Sequence, residues 1–216
     1  MVSSTTEIQD YLKSCQSAFW QAVFRAETDY LLRHITPGEE ILSVGCGPAI
    51  IESALSAHGC RVTGLDVSRE ALDRAPDAIR TVVGRAEEMP FPADSFDAVI
   101  YVASLQFVEN FAAALHGTRR VLRPRGKLLA MLLNPAAQFF QTKLLDPNSY
   151  LHHIRHMDLQ AIEKAIAADF SVLSEYHLGI RGEVLFPSQD PREAALYIVR
   201  GWLKTAPGSR RPAKSP

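Results

Sequence analysis

The chain has 216 residues, with 23 lysines and arginines against 24 aspartates and glutamates, a formal net charge of −1. Its 47% hydrophobic and 22% charged residues are typical of a globular protein, not a disordered one. The near-neutral charge argues against nucleic acid as a partner. The longest apolar run, residues 128–133, is far shorter than the roughly 20 residues that span a bilayer. Because no secretion signal is recognisable at the start, a cytoplasmic location without membrane insertion is expected.

The chain is expected to begin with a helical cover over residues 1–36. Apolar side chains recur at mostly helical spacing between residues 6 and 35. Thr5 or Thr6 can cap the start of this helix, and Pro37-Gly38 can end it. A break in the helix is expected near residues 14–17.

From residue 40, short apolar runs alternate with helical segments. Strands are predicted at 40–44, 61–65, 79–83, 96–102 and 127–133. The intervening helices are predicted at 49–58, directly after Ser68, and at 111–122. Strands that alternate with helices pair in parallel through right-handed crossovers, so an α/β, Rossmann-like, doubly wound sheet is expected.

Beyond Asn134-Pro135 the alternation stops. Residues 134–157 show no clean period and are interpreted as an insert, followed by a helix at 159–168. An antiparallel hairpin at 170–178 and 183–186 completes a seven-stranded sheet, and a last helix is predicted at 191–203. Residues 1–203 are therefore interpreted as one domain. Residues 204–216, which carry four basic and no acidic residues, are interpreted as a flexible tail.

A glycine turn carries the strongest chemical signal. Gly45 and Gly47 follow a buried strand and precede a helix, where the absence of Cβ atoms lets a ligand approach the backbone. Asp66 ends the next strand, where a carboxylate can accept both hydroxyls of a ribose. Ile50 stands where a dinucleotide-binding turn has its third glycine, which favours an adenosine ligand without a pyrophosphate.

Five segments, in the same order along the chain, resemble motifs of the class I S-adenosylmethionine-dependent methyltransferases of the small-molecule type, similar to those of ubiquinone and menaquinone biosynthesis. They are 44–48 (VGCGP), 64–68 (GLDVS), 84–91 (GRAEEMPF), 95–100 (SFDAVI) and 120–127 (RVLRPRGK). Each motif is weak alone, and the five together are specific. The resemblance implies S-adenosylmethionine as cofactor, S-adenosylhomocysteine as product, and methyl transfer to an oxygen, nitrogen or carbon of a small molecule.

The resemblance also implies a cofactor shell. The glycine turn borders the methionine part of the cofactor, Asp66 holds the ribose, and Val67 packs on the adenine. The whole implied shell comprises Ser43, Gly45, Cys46, Gly47, Asp66, Val67, Arg85, Ala86, Glu87, Tyr101, Val102 and Gln106.

Three positions depart from the family's pattern. Ser43 stands where the family usually has an acid that anchors the methionine amino group, and Ala49 replaces a third glycine. Arg85 replaces an acid often found near the adenine amine, so Ala86 and Glu87 would supply that contact. These departures keep open a non-catalytic binding protein with the same fold. A nicotinamide-dependent oxidoreductase is the other alternative, against which the missing third glycine and the terminal hairpin count.

The acceptor side is expected to consist of the helical cover, the segment after the fourth strand and the insert. A histidine with a pKa near neutrality could act as a general base. The catalytic candidates are Tyr150, His152, His153 and His156. The same histidines could instead form a polar, half-exposed face, and no metal is expected because no nearby acids complete a ligand set. The residues expected on the substrate side are Tyr11, Arg25, Ser104 and Asn134.

Overall fold

A computed structural model describes residues 13–204 of the chain. Tyr11 and residues 205–216 of the expected tail lie outside the described residues. The helices are α1 (Ala18–Leu32), α2 (Ile50–Ala57), α3 (Arg69–Leu72), α4 (Phe111–Val121), α5 (Gln138–Leu144) and α6 (Leu159–Asp169). The strands are β1 (Glu40–Val44), β2 (Arg61–Asp66), β3 (Arg80–Val83), β4 (Phe96–Val102), β5 (Leu122–Leu133), β6 (Phe170–Arg181), β7 (Val184–Phe186) and β8 (Ala194–Leu203).

The strands form one sheet in the order β3-β2-β1-β4-β5-β8-β6-β7. Strands β1 to β5 pair in parallel, β8 runs antiparallel to β5 and β6, and β7 forms a hairpin with β6. One face is covered by α1, α2 and α5, and the other by α4 and α6. The predicted α/β, doubly wound and mostly parallel sheet with an antiparallel C-terminal part is confirmed.

The predicted helix at 191–203 is wrong, because this segment is strand β8, and the sheet has eight strands instead of seven. Strand β8 pairs with β5 and β6 at its two edges, and its residues pack into the cores on both faces of the sheet. Its apolar run therefore lacks the period of two that marks a half-exposed strand. Gly201 leaves room for the Phe170 side chain, whose Cβ would lie only 3.0 Å from an added Cβ.

Helix α1 begins after the predicted break. Ser17 caps it, since its Oγ accepts a hydrogen bond from the Trp20 amide at 3.3 Å. Towards the end of α1, the hydroxyl of Tyr30 donates to the Glu175 carboxylate of β6 at 2.5 Å, which fastens the helix to the sheet. No helix within residues 13–204 has both the length and the apolarity needed to cross a membrane.

Candidate cofactor and acceptor site

The glycine turn joins β1 to α2 at the carboxyl ends of the parallel strands. Gly45 and Gly47 both lie in the left-handed region, with φ of 75° and 54°. The amide of Gly45 donates to the Leu65 carbonyl at 2.7 Å, and that of Gly47 donates to Oδ2 of Asp66 at 2.8 Å. The end of β2 therefore binds both of these amides.

Asp66 is the residue that holds the turn. Its Oδ1 accepts from the Ser68 amide and its Oδ2 from the Gly47 amide, both at 2.8 Å. A carboxylate has about four lone-pair positions, so each oxygen retains acceptor capacity for a ligand hydroxyl. The next residue, Val67, exposes 67% of its surface. A hydrogen-bond acceptor and an apolar surface therefore stand side by side at this strand end.

The segment after β4 closes onto the glycine turn. The Ser104 hydroxyl donates to the Val44 carbonyl at 2.6 Å, and a Cβ added to Gly45 would lie 2.5 Å from the Ser104 Cβ. Gly47 differs, because an added Cβ there would meet no atom within 4 Å. The Cys46 side chain is buried, and burial raises the pKa of its thiol well above the usual range. The turn is thus tightly packed at Gly45 and open at Gly47.

Two buried acids lie beneath the turn, and reasoning from the sequence did not identify either. Glu52 of α2 is 3% exposed and accepts a hydrogen bond from the Ser43 hydroxyl at 2.5 Å. Glu27 of α1 is 5% exposed, and no group within residues 13–204 hydrogen-bonds its carboxyl. Burial raises the pKa of Glu27 to about 8, with the charge of Glu52 as a smaller cause. Burial also raises the pKa of Glu52 to about 7, against the lowering effect of the Ser43 hydrogen bond.

An open groove lies beyond the ends of β3 and β4. It brings together three residues that the sequence singled out: Arg85, Glu87 and His156. The Arg85 guanidinium donates to Glu87 at 3.2 Å and to Glu109 at 3.1 Å. His156 packs edge-on against Phe111, with ring centroids 4.7 Å apart. Because the ion pair between Arg85 and Glu109 is exposed, it contributes little to stability.

Two implied cofactor contacts point elsewhere in the structure. The Tyr101 side chain is fully buried between the sheet and α4, where its hydroxyl shares a 2.7 Å hydrogen bond with Thr118. The Gln106 side chain is also fully buried, and its amide binds the Leu133 backbone and the His156 carbonyl. The expected cofactor contacts of these two side chains are therefore wrong. Their polar atoms hold α4 and the insert against the sheet.

Two of the expected substrate-side residues also have other surroundings. Asn134 is 1% exposed, and its Nδ2 donates to the carbonyls of Pro191 and Ala194 at 2.7 and 2.8 Å. It fixes the turn after β5 to the start of β8, which contradicts a contact with substrate. Arg25 is exposed on α1. Ser104 is the substrate-side candidate that packs against the glycine turn.

The catalytic candidates of the insert do not converge on one point. His152 and His153 are exposed, and Nε2 of His152 donates to the Asp146 carbonyl at 3.0 Å. Nε2 of His156 donates instead to the Val108 carbonyl at 2.9 Å, so the two rings bind different carbonyl groups. Tyr150 stacks on Phe107 with centroids 6.0 Å apart. Burial raises the pKa of Tyr150 above its usual range, and the charge of Glu27 adds to this effect.

A family model described as a methyltransferase domain matches residues 42–130. The chain is 30% identical over 163 residues to the demethylmenaquinone methyltransferase of Tropheryma whipplei, covering 73% of this chain and 63% of that one. It is 32% identical over 125 residues to the ubiquinone biosynthesis O-methyltransferase of Alkalilimnicola ehrlichii, covering 54% of this chain and 47% of that one. The chain thus spans about half to two thirds of the length of these curated relatives.

The fold agrees with this family. A crystal structure of an S-adenosylmethionine-dependent methyltransferase from Thermotoga maritima superposes with a TM-score of 0.76 at 17% identity, covering 91% of this chain and 96% of that one. The residues that match the family model contain the glycine turn, Asp66 and Glu52. Glu27 and the insert lie outside residues 42–130, so the family motifs do not predict the roles of these residues. A signal for Glu27 existed in the sequence, because it falls among the apolar positions of α1.

Proposed function

We propose that the chain is an S-adenosylmethionine-dependent methyltransferase that acts on a small-molecule acceptor. The observation that carries this proposal is the arrangement of Asp66 and the glycine turn at adjacent strand ends of a methyltransferase domain. Their mutual hydrogen bond joins the two parts that would hold the sugar and the amino acid of one ligand.

The side chains at this edge fit the cofactor. Asp66 retains acceptor capacity for the two ribose hydroxyls, and Val67 presents an exposed apolar surface on which adenine would pack. The space beside Gly47 is free of other atoms. Glu87 can accept a hydrogen bond from the adenine amine, whereas the Arg85 guanidinium has no acceptor atom and is already bound to Glu87.

When bound, the cofactor supplies a methyl group on a positively charged sulfur. The protein's own contribution is orientation of the acceptor and exclusion of water. Helix α1 and the insert meet through aromatic rings, since the centroid of Phe139 lies 5.9 Å from that of Phe19 and 6.4 Å from that of Trp20. In well-aligned reactions, orientation of this kind is worth roughly 7–11 kcal/mol of the barrier.

The acceptor class rests on two supports. The aromatic rings of α1 and the insert are partly buried against the core, and an apolar surface of this kind suits a small organic molecule. Two curated relatives are named as methyltransferases of demethylmenaquinone and of ubiquinone biosynthesis, both of which concern small molecules. We extend to this chain only that class, with the oxygen, nitrogen or carbon atom left open.

A thermal-shift screen with S-adenosylmethionine, S-adenosylhomocysteine and NAD tests the cofactor. A ligand at one hundred times its Kd stabilises the folded state by about 2.7 kcal/mol. For a protein of this size, that corresponds to an increase of roughly 5 °C or more in Tm. We expect S-adenosylmethionine and S-adenosylhomocysteine to raise Tm and NAD to leave it unchanged. A selective response to NAD would favour an oxidoreductase, and no response to any of the three would contradict the proposal.

A further inference from the structure

Residues 103–110, the bridging segment, follow β4 and contact two parts of the proposed cofactor site. Near the start of this segment, the Ser104 hydroxyl donates to the Val44 carbonyl beside the glycine turn at 2.6 Å. At its end, the Asn110 amide donates to the Glu87 carboxylate in the loop after β3 at 3.2 Å. The two ends of the bridging segment are therefore bonded to the two places where the methionine part and the adenine of the cofactor would lie.

The middle of the bridging segment holds the insert. The Gln106 side chain is fully buried, and its amide donates to the His156 carbonyl at 3.2 Å. The Gln106 carbonyl accepts from the amides of Arg155 and His156 at 3.0 and 3.2 Å. The His156 ring adds a further bond, because its Nε2 donates to the Val108 carbonyl at 2.9 Å. The end of the insert is thus fastened to the bridging segment by backbone and side-chain hydrogen bonds.

The bridging segment is itself firmly held. Ala103 lies in the left-handed region, with φ of 48°, and its amide donates to the Met131 carbonyl at 2.9 Å. A residue other than glycine keeps this conformation only where its surroundings fix it. The Gln106 side chain also binds both backbone groups of Leu133 at the end of β5. Chains of hydrogen bonds and packed residues of this kind carry energetic coupling between sites.

We propose that the bridging segment couples occupancy of the cofactor site to the order of the insert, with His156 as a positioning residue. The inference rests on the proposed function for the position of the cofactor. A ligand at the glycine turn and beside Glu87 stabilises both ends of the bridging segment, and the bonds of Gln106 and His156 pass this stabilisation to the insert. By linkage, an ordered insert strengthens cofactor binding by the same factor. The acceptor side is then complete only after the cofactor has bound.

Two histidines of the insert provide a matched comparison. The His156 ring binds the Val108 carbonyl of the bridging segment, whereas the His152 ring binds the Asp146 carbonyl within the insert, at 2.9 and 3.0 Å. Both rings act through Nε2, so His156→Ala and His152→Ala remove the same kind of bond. Only His156→Ala cuts a connection to the bridging segment. His156→Gln keeps a side-chain N–H donor of similar reach and serves as the rescue variant.

Hydrogen exchange measured by mass spectrometry, with and without saturating S-adenosylhomocysteine, tests the coupling. The amides of Arg155 and His156 are direct reporters, because both donate to the Gln106 carbonyl. In wild type we expect the ligand to slow exchange of residues 150–157 by about fivefold or more, the lower end of typical coupling between sites. His156→Ala should reduce this protection to less than about twofold, His152→Ala should retain it, and His156→Gln should recover part of it.

The ratio of exchange rates with and without ligand separates coupling from a merely structural role. A residue that only stabilises the insert changes both rates equally and leaves this ratio unchanged. Calorimetry provides the reciprocal measurement, because His156→Ala should raise the Kd of S-adenosylhomocysteine by the factor that the protection loses. Absence of protection in wild type, or equal protection in wild type and His156→Ala, would overturn the proposal.

A ligand-free comparison keeps this inference distinguishable from the proposed function. If calorimetry shows that wild type does not bind S-adenosylhomocysteine, the proposed function fails and cofactor coupling fails with it. The connection between the insert and the bridging segment is still decided, because His156→Ala should speed exchange of residues 103–108 relative to His152→Ala. Equal exchange of this segment in the two variants would refute the connection through His156 as well.

Discussion

Replacing Glu27 with glutamine tests the burial of this acid in the protein without any ligand. The folded protein holds the Glu27 proton up to about pH 8, whereas the ordinary pKa of the group is 4.5. The stability that this proton contributes is fully present below about pH 4.5 and is lost as the pH rises through about 8. Glutamine carries no such proton. We therefore expect the variant to gain stability relative to wild type as the pH increases.

The size of the effect follows from the pKa values. The difference between 4.5 and about 8, at about 1.4 kcal/mol for each tenfold change in proton affinity, corresponds to about 5 kcal/mol. Part of this is shared with Glu52, whose charge contributes to the raised pKa of Glu27. We expect the difference in unfolding free energy between variant and wild type to change by about 3–5 kcal/mol between pH 4.5 and pH 9.

Urea unfolding at pH 4.5, 6, 7.5 and 9 measures this change. Any pH-independent effect of the amide shifts the whole curve, so the slope with pH is the quantity that matters. Asp29→Asn serves as the control and should run parallel to wild type, because Asp29 is exposed. A constant difference between Glu27→Gln and wild type at all four pH values would refute the reasoning that this carboxyl is buried without a partner.

Two further substitutions test the packing around the site. Gly45→Ala and Gly47→Ala both place an alanine at positive φ, which costs about 1–2 kcal/mol of stability. Only Gly45→Ala also brings a Cβ to 2.5 Å from the Ser104 Cβ, so urea unfolding should show it to be less stable than Gly47→Ala by about a further 1–3 kcal/mol. Equal losses of stability in the two variants would contradict the close approach of Ser104 to Gly45. Gln106→Ala should lower the unfolding free energy by about 2–4 kcal/mol, because it leaves buried backbone groups at Leu133 and His156 unpaired. A loss below about 1 kcal/mol would contradict the role of Gln106 in pairing these groups.

The cofactor half of the fold could be predicted because its signals are local. The strands β1 to β4 lie within one or two residues of their expected positions, and the glycine turn separates β1 from α2 as expected. Ser68 caps α3 as predicted, with its Oγ accepting from the Ala71 amide at 3.2 Å. Each of these features depends on a turn residue or an apolar run that is legible within about ten residues of sequence.

Strand β8 could not be predicted from its own residues. Its sequence begins with Ala194, Ala195 and Leu196, which are compatible with a helix, and its neighbours in the sheet are distant along the chain. Both faces are buried because the residues of β8 pack into the cores on the two sides of the sheet, so the alternation of apolar and polar residues that identifies a strand is absent. Tertiary surroundings therefore decided the conformation of this segment.

The side chains of the site were predictable only in part. Asp66 and the glycine turn could be identified because strand ends of a parallel sheet converge. The direction of the Tyr101 side chain depends on which face of the sheet the residue occupies. The spacing of apolar residues in the sequence does not determine that face. Glu27 and Glu52 are brought together by the packing of α1 on α2, across 25 residues of sequence. That pairing is visible only once the helices are in place.

The affinity of S-adenosylhomocysteine for wild-type protein and for Asp66→Ala tests the cofactor assignment most directly. Loss of hydrogen bonds to a charged group weakens binding by about 1.5–3 kcal/mol, which is roughly a 10- to 150-fold increase in Kd. Asp77→Ala, which removes an exposed acid from the same part of the chain, should leave Kd unchanged. Thermal unfolding of each variant shows that the protein remains folded at the titration temperature. We predict that only Asp66→Ala raises the Kd of S-adenosylhomocysteine, by roughly 10- to 150-fold. Equal affinities for folded wild type and folded Asp66→Ala would contradict the assignment.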